Sequence, residues 1–199
     1  GIFRSDIDQK KDENDVFIDV ISMTDTDDVD EILPTEIEEK EIRAEATQET
    51  FVKKLIDSYA PHIYGMEDVK LSCILQLVGG VDSKKRADIN ILLVGDPSMA
   101  KSELLKYGNS VTQKSIYTSG KGTTSAGLTI GMVKLSDGTM IAQAGVLPLC
   151  NNGYAYIDEF DKMNKDDRTA MHEAMEQQTV SIAKAGVNLT LDAKTSILA

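Results

Sequence analysis

Residues 89–94, Ile-Asn-Ile-Leu-Leu-Val, form a short apolar run rich in strand formers, and the run stops at Gly95. From Lys101 to Tyr107 the sequence favours a helix. Between the two lies Gly95-Asp96-Pro97-Ser98-Met99-Ala100-Lys101-Ser102. A continuous apolar run of this kind fits a buried strand of a parallel sheet. A loop that leads from such a strand into a helix N-terminus converges backbone N–H groups on one point, which is where phosphate is taken up. Holding a nucleoside triphosphate needs two more groups: an ammonium that reaches the terminal phosphates and a small hydroxyl that faces Mg2+. Lys101 and Ser102 have those identities in that order. The usual pattern has Gly before the Lys, and here Ala100 stands in its place. Ala serves there if its φ is negative and the phosphate tolerates a nearby methyl. Taken alone, a loop of this spacing also arises as an ordinary turn.

A second feature narrows the reading. Tyr154-Ala155-Tyr156-Ile157 is another buried-strand candidate, and it ends in Asp158 and Glu159. Asp158 is suited to hold Mg2+ directly or through water, and Glu159 to orient and polarise an attacking water. By themselves the two carboxylates also fit an acidic strand end that caps the next helix. Two half-motifs in the right order, each closing a strand, point together to ATP hydrolysis.

The rest of the chain supplies the frame. Met66 to Val78 is a helix candidate stopped by Gly79-Gly80, and Lys165–Gln178 another, with Met171, Ala174 and Met175 on one face. From Glu41 to Tyr59, Phe51, Leu55 and Ile56 recur at helical spacing until Pro61 interrupts. Ser196–Leu198 is a third buried-strand candidate. Strands alternating with helices argue an α/β fold with a parallel sheet. Residues 1–23 alternate weakly around Val16-Phe17-Ile18-Asp19-Val20-Ile21, which suits one or two strands of something upstream. Residues 24–40 are rich in Asp and Glu, contain Pro34 and have too few large apolar groups to order themselves. They read as an acidic linker, extended to residue 48.

Charge follows the same division. The net charge is −12, and residues 1–50 carry all of it, with 17 acidic and 5 basic side chains. Residues 51–199 are neutral, so the overall acidity does not argue against nucleic-acid binding by that part. The two cysteines, Cys73 and Cys150, are far apart and form no CxxC, and His62 and His172 are equally isolated, so neither a disulfide framework nor a zinc site is suggested. No uninterrupted apolar run is long enough to cross a bilayer. The chain has no initiator Met, and Thr195–Ala199 reads as a strand cut at its end, so an internal fragment of a longer protein is expected.

With these residues in view the chain resembles the minichromosome maintenance (MCM) replicative helicases. The phosphate loop with Ala before the Lys, Ile157-Asp158-Glu159-Phe160-Asp161-Lys162-Met163, the run Asp167–Gln178, Tyr117-Thr118-Ser119-Gly120-Lys121-Gly122 and Ala126-Gly127-Leu128-Thr129 are all similar to MCM segments. Residues 50–199 carry the resemblance strongly. Residues 1–23 look, more weakly, like the last strands of the family's N-terminal oligonucleotide-binding (OB) domain. The resemblance implies an AAA+ ATPase core over residues 49–199, truncated at its end: a P-loop parallel sheet flanked by helices, with β-hairpin insertions. It implies ATP and Mg2+ as cofactors, with Lys101, Asp158 and Glu159 catalytic, Ser102 and Asp158 on the metal, and Gly95 through Ser102 around the phosphates. Tyr64 and Gly65, in Ile63-Tyr64-Gly65, are implied at the adenine pocket. One hairpin is implied within Leu128–Gly145, with a turn near Ser136-Asp137-Gly138. The other is implied at Thr179–Leu191, with Lys184 in its tip Ala183-Lys184-Ala185-Gly186 meeting DNA. The partners implied are single-stranded DNA in a ring channel and other MCM subunits in a hexamer, with no membrane. The location implied is nuclear in a eukaryote and cytoplasmic in an archaeon. Without the resemblance, Lys184 is an ordinary solvated turn lysine. Two other classes share the loop and the Asp-Glu pair: an AAA+ remodeller of proteins, and a ring subunit that binds ATP only as structural glue.

Against the expected helix over 101–107, Gly108 is an unfavourable neighbour, costing about 1 kcal/mol relative to Ala. The stretch Val146–Asn152 and the loop Val81–Asp88 also differ from most of the family.

Overall fold

The computed structural model describes residues 2–7, 14–19, 34–81, 86–136, 138, 140–184 and 187–199. The chain divides into two compact units, Gly1–Gln48 and Glu49–Ala199.

In the first unit, strands β1 (Ile2–Ile7) and β2 (Asn14–Asp19) pair antiparallel, from Ile2 opposite Asp19 to Ile7 opposite Asn14. Val20, Ile21 and residues 24–33 of the acidic stretch lie outside the described residues. Within that stretch, Glu36–Ala46 is a helix, α1, which departs from a linker unable to order itself. The helix buries nothing. Its order is local: the Thr35 N–H donates to Glu38 at 2.8 Å, the Glu38 N–H donates back to Thr35 Oγ1 at 3.4 Å, and Arg43 pairs with Glu39 at 2.7 Å. This capping box, with acidic residues in the first turn, stabilises a helix N-terminus without tertiary burial.

The second unit opens with α2 (Phe51–Ser58) and α3 (Glu67–Val78), the latter ended by Gly79. The helical pattern that begins at Glu41 is thus broken over residues 47–50. After the glycine-bounded loop come α4 (Lys101–Val111) and β3 (Ser115–Ser119). A four-residue helix α5 (Ser125–Leu128), the antiparallel pair β4 (Ile130–Lys134) and β5 (Met140–Ala144), and α6 (Val146–Leu149) then lead into β6 (Gly153–Asp158). A short 3-10 turn, Phe160–Lys162, precedes α7 (Lys165–Gln177). A second antiparallel pair, β7 (Thr179–Lys184) and β8 (Val187–Asp192), leads to β9 (Thr195–Leu198). Asp137 in the first turn, residues 82–85 of the Val81–Asp88 loop, and Ala185-Gly186 at the second tip lie outside the described residues.

Strands β3, β6 and β9 form a parallel sheet in that order. Alternation along β6 and β9 builds two cores. Ala155, Ile157 and Ile197 face one side with Leu128, Leu147, Met163, Met171 and Ala174. Tyr156 and Leu198 face the other with Tyr59, Cys73, Leu104 and Leu105. A sheet covered on both faces favours apolar strands; β6 supplies such a run in residues 154–157, and β9 adds Ile197 and Leu198 after the buried Thr195 and Ser196.

Residues 89–94 sit beside β9 but are not the regular buried strand their composition suggests. The Ile91 N–H donates to Ile197 O at 2.8 Å, the Ala199 N–H to Ile91 O at 3.0 Å, and the Leu93 N–H to Ala199 O at 2.6 Å. Only one bridge, Ile91 with Leu198, qualifies as pairing. Leu92 and Val94 are 58% and 87% exposed.

Gly108 has a packing reason. It is buried in α4, and a Cβ there would lie 2.5 Å from Cε1 of Tyr156. Tyr156 is itself only 1% exposed, held within the core with Leu104 and Leu105. Gly108→Ala is therefore expected to destabilise the fold. Overpacking costs about 1–3 kcal/mol, which outweighs the gain of about 1 kcal/mol in helix propensity. Chemical unfolding of wild type and variant measures the difference, and a net gain would mean that the Tyr156 ring can move aside.

Candidate nucleotide site

The loop between Val94 and α4 turns through two left-handed residues, Ser98 at φ +66° and Ala100 at φ +55°. The expected negative φ at Ala100 is thus not what the backbone adopts. The position takes the left-handed turn that favours Gly, and Ala holds it at a cost of about 1–2 kcal/mol. Its methyl packs against the core formed by Leu104 and Tyr156, which offsets part of that cost. Lys101 opens α4 and arches back over the loop, its Nζ donating to Gly95 O and to Asp96 O, both at 2.6 Å. The N–H groups of the first helical turn have no intrahelical partner and, with the helix dipole, favour an anion here.

Strand β6 delivers the acidic pair to the same place. Helix α4, which Lys101 and Ser102 open, packs against β6, and Ser102 is among the groups that favour the charged form of Asp158. Asp158 also accepts from the Tyr117 hydroxyl at 2.8 Å and from the Glu159 N–H at 2.8 Å. Burial pushes the Asp158 carboxyl up, but the donors Ser102, Tyr117 and Glu159 outweigh it and hold it below the usual carboxylate range. The Tyr117 hydroxyl is pushed up to about 12, by burial first and by Asp158 second, so it is a donor at neutral pH. Glu159 leaves the strand at φ +50° and accepts from the Ser119 hydroxyl at 3.2 Å. Left-handed backbone at a non-glycine residue stores strain, and such strain concentrates at functional sites. Gly120 makes room for it: its N–H donates to Asp158 O at 2.7 Å, and a Cβ there would lie 2.6 Å from Glu159 O.

The structure therefore brings Gly95–Ser102 and Asp158 together, with Glu159 next in the chain. Tyr64 and Gly65 belong to the connection between α2 and α3. Tyr64 is fully exposed and Gly65 has φ +72°. That connection is tied to α4 by the Tyr59 hydroxyl on Leu104 O and the Tyr107 hydroxyl on Ser58 O, and it is anchored by buried Lys70, which donates to Ala60 O and Ile63 O. Lys184 is the last residue of β7, on the second hairpin, and its side chain lies outside the described residues. Tyr117, Ser119 and Gly120 escape a residue-by-residue reading of the site. The available signal is the Tyr-Thr-Ser-Gly run, three hydroxyl side chains in succession that stop at a glycine.

The donor set can be judged for a metal. Among the described residues no group of three His, Cys, Asp or Glu side chains could cage an ion. The Ser102 hydroxyl and the Asp158 carboxylate are hard oxygen donors, which fit Mg2+, an ion that completes its shell with water and substrate phosphates.

A parallel sheet, a glycine-bounded loop running into a helix with Lys and Ser at its start, and an acidic pair at the adjacent strand end define a P-loop α/β protein. Residues 38–199 match the MCM P-loop domain, and the chain belongs to that family. It is 50% identical over 186 residues to DNA replication licensing factor mcm7 of Xenopus tropicalis, covering 90% of this chain and 26% of that protein. It is 52% identical over 155 residues to mcm7 of Schizosaccharomyces pombe, covering 74% and 20%. It is 44% identical over 203 residues to mcm6 of the same yeast, covering 98% and 21%. The chain thus spans about a quarter or less of the length of these relatives.

Proposed function

We propose that the chain is the nucleotide-hydrolysing part of an MCM-type DNA helicase subunit, working in a hexameric ring with other MCM subunits during replication. The observation that carries this reading is the packing of α4, which opens on Lys101 and Ser102, against β6, which ends on Asp158, so that the two half-motifs belong to one pair of packed elements. Lys101 would balance charge on the terminal phosphates, and the loop N–H groups would bind the others. Ser102 and Asp158 would hold Mg2+, which neutralises developing phosphate charge when bound. Glu159 would accept the proton of the attacking water, aided by the Ser119 hydroxyl that fixes its carboxylate. Tyr64 and Gly65 would meet the adenine. In a eukaryotic cell this work belongs in the nucleus, and in an archaeal one in the cytoplasm.

ATP hydrolysis by the full-length protein, with and without single-stranded DNA, tests the reading. Stimulation by DNA is the expected result. Turnover indifferent to DNA would favour a remodeller of proteins, and no turnover would favour a structural ring subunit.

Lys184, at the end of β7, would meet DNA phosphate, an interaction that carries no sequence preference and suits a motor moving along a strand. Lys184→Ala is expected to weaken single-strand binding. The slope of log affinity against log salt should become shallower by about 0.7 for each phosphate that the variant no longer neutralises. An unchanged slope and affinity would return Lys184 to a solvated turn lysine.

A further inference from the structure

The Asp158 carboxylate is restrained at both of its oxygens. The Glu159 N–H occupies Oδ1 and the Tyr117 hydroxyl occupies Oδ2, each at 2.8 Å. The first donor is backbone and is present whatever the side chain. The second depends wholly on residue 117. In the β3–β6 ladder Ser119 stands opposite Asp158 and Tyr117 opposite Tyr156, so Tyr117 reaches Asp158 diagonally along one face of the sheet. An aromatic side chain has the reach for that, and a short polar one does not. The Tyr117 ring packs against the core that holds Tyr156 and Leu104, so its hydroxyl is carried on a fixed lever.

Such a restraint matters for a ligand. The terminal torsion of an Asp side chain is broad, so a free carboxylate samples many orientations. A carboxylate held at both oxygens keeps its remaining lone pairs in fixed directions. Partners that orient metal ligands in this way are worth about 10–100-fold in metal affinity.

We propose that Tyr117 is the positioning residue for the divalent cation of this site, fixing the Asp158 carboxylate so that it and Ser102 present one preorganised pair of oxygen donors. The inference rests on the reading of the site as a Mg2+-dependent ATPase.

The test uses the full-length protein with a non-hydrolysable ATP analogue and Mn2+ as the probe, free Mn2+ being read by electron paramagnetic resonance. Tyr117→Phe removes only the hydroxyl and is expected to weaken Mn2+ binding about tenfold. The Mg2+ concentration for half-maximal ATP turnover should rise by the same factor. Placing 4-aminophenylalanine at position 117 restores a donor and should return Mn2+ affinity towards wild type. A purely structural role would not produce that rescue. If the missing oxygen itself unfolds the Phe variant, 4-fluorophenylalanine fills the same space without a donor, and the comparison with the amino variant stands. Mn2+ affinity unchanged in the donor-less variants, or weakened equally by the amino variant, overturns the proposal. Asp158→Asn separates the two layers. If it loses Mn2+ while the Tyr117 variants do not, the role of Tyr117 alone fails. If it binds Mn2+ like wild type, the metal site itself is misassigned and the inference falls with it.

Discussion

Glu159→Gln is expected to bind ATP with near wild-type affinity and to hydrolyse it about a hundredfold more slowly or worse, the range a general base contributes. The two side chains have the same shape, so the left-handed turn at φ +50° is kept. The amide oxygen can still accept from Ser119, which donates to Glu159 at 3.2 Å. What disappears is the ability to take a proton from water. Binding is spared because the groups proposed to meet the phosphates and the metal, Lys101, Ser102 and Asp158, keep their charges and geometry. The effect belongs in turnover and not in KM, since the missing interaction is one made in the transition state. Steady-state hydrolysis and a nucleotide titration on the full-length protein measure the two separately. Wild-type turnover in the variant would remove Glu159 from the mechanism.

The parts of this site that are legible in the sequence are those written in consecutive residues. Lys101-Ser102 after a glycine-bounded loop, and Asp158-Glu159 after an apolar strand, each announce themselves by local order. Strand β6 is readable because both faces of it are buried, which forces an apolar run. Strand β3 is not, because its Ser115, Thr118 and Ser119 dilute the apolar signal, yet it supplies two of the hydroxyls that hold the acidic pair. Those hydrogen bonds run across strands, so they depend on register, which no local pattern encodes. The run at 89–94 shows the converse. Its composition is that of a buried strand, but pairing depends on the neighbouring strand, and here it amounts to one bridge, Ile91 with Leu198. Helix α1 escapes for a third reason: a count of apolar residues cannot see a capping box, which orders a segment through its own side chains. The positive φ at Ala100 is a fourth case, since a side chain's identity states a preference and the surrounding loop decides the angle.

Lys101→Ala is expected to weaken ATP binding about a hundredfold or more, and with it turnover at ordinary ATP concentrations. An ammonium about 4 Å from a phosphate charge is worth about 4 kcal/mol at the effective dielectric of a protein surface. Competition from water and from the other donors reduces that figure, and what remains still corresponds to a loss of about two orders of magnitude, at 1.4 kcal/mol per tenfold. The fold should tolerate the change. The carbonyls of Gly95 and Asp96 that Lys101 holds at 2.6 Å belong to exposed residues, so water can replace the ammonium on them. Thermal melting without nucleotide should therefore be close to wild type, while the stabilisation that ATP normally adds should vanish. Lys101→Met separates charge from bulk, because it keeps a long apolar stem without the ammonium. If the Met variant binds ATP like wild type, packing of the stem and not the charge is what the loop requires. If both variants bind normally, the phosphates do not sit where Lys101, Ser102 and Asp158 converge.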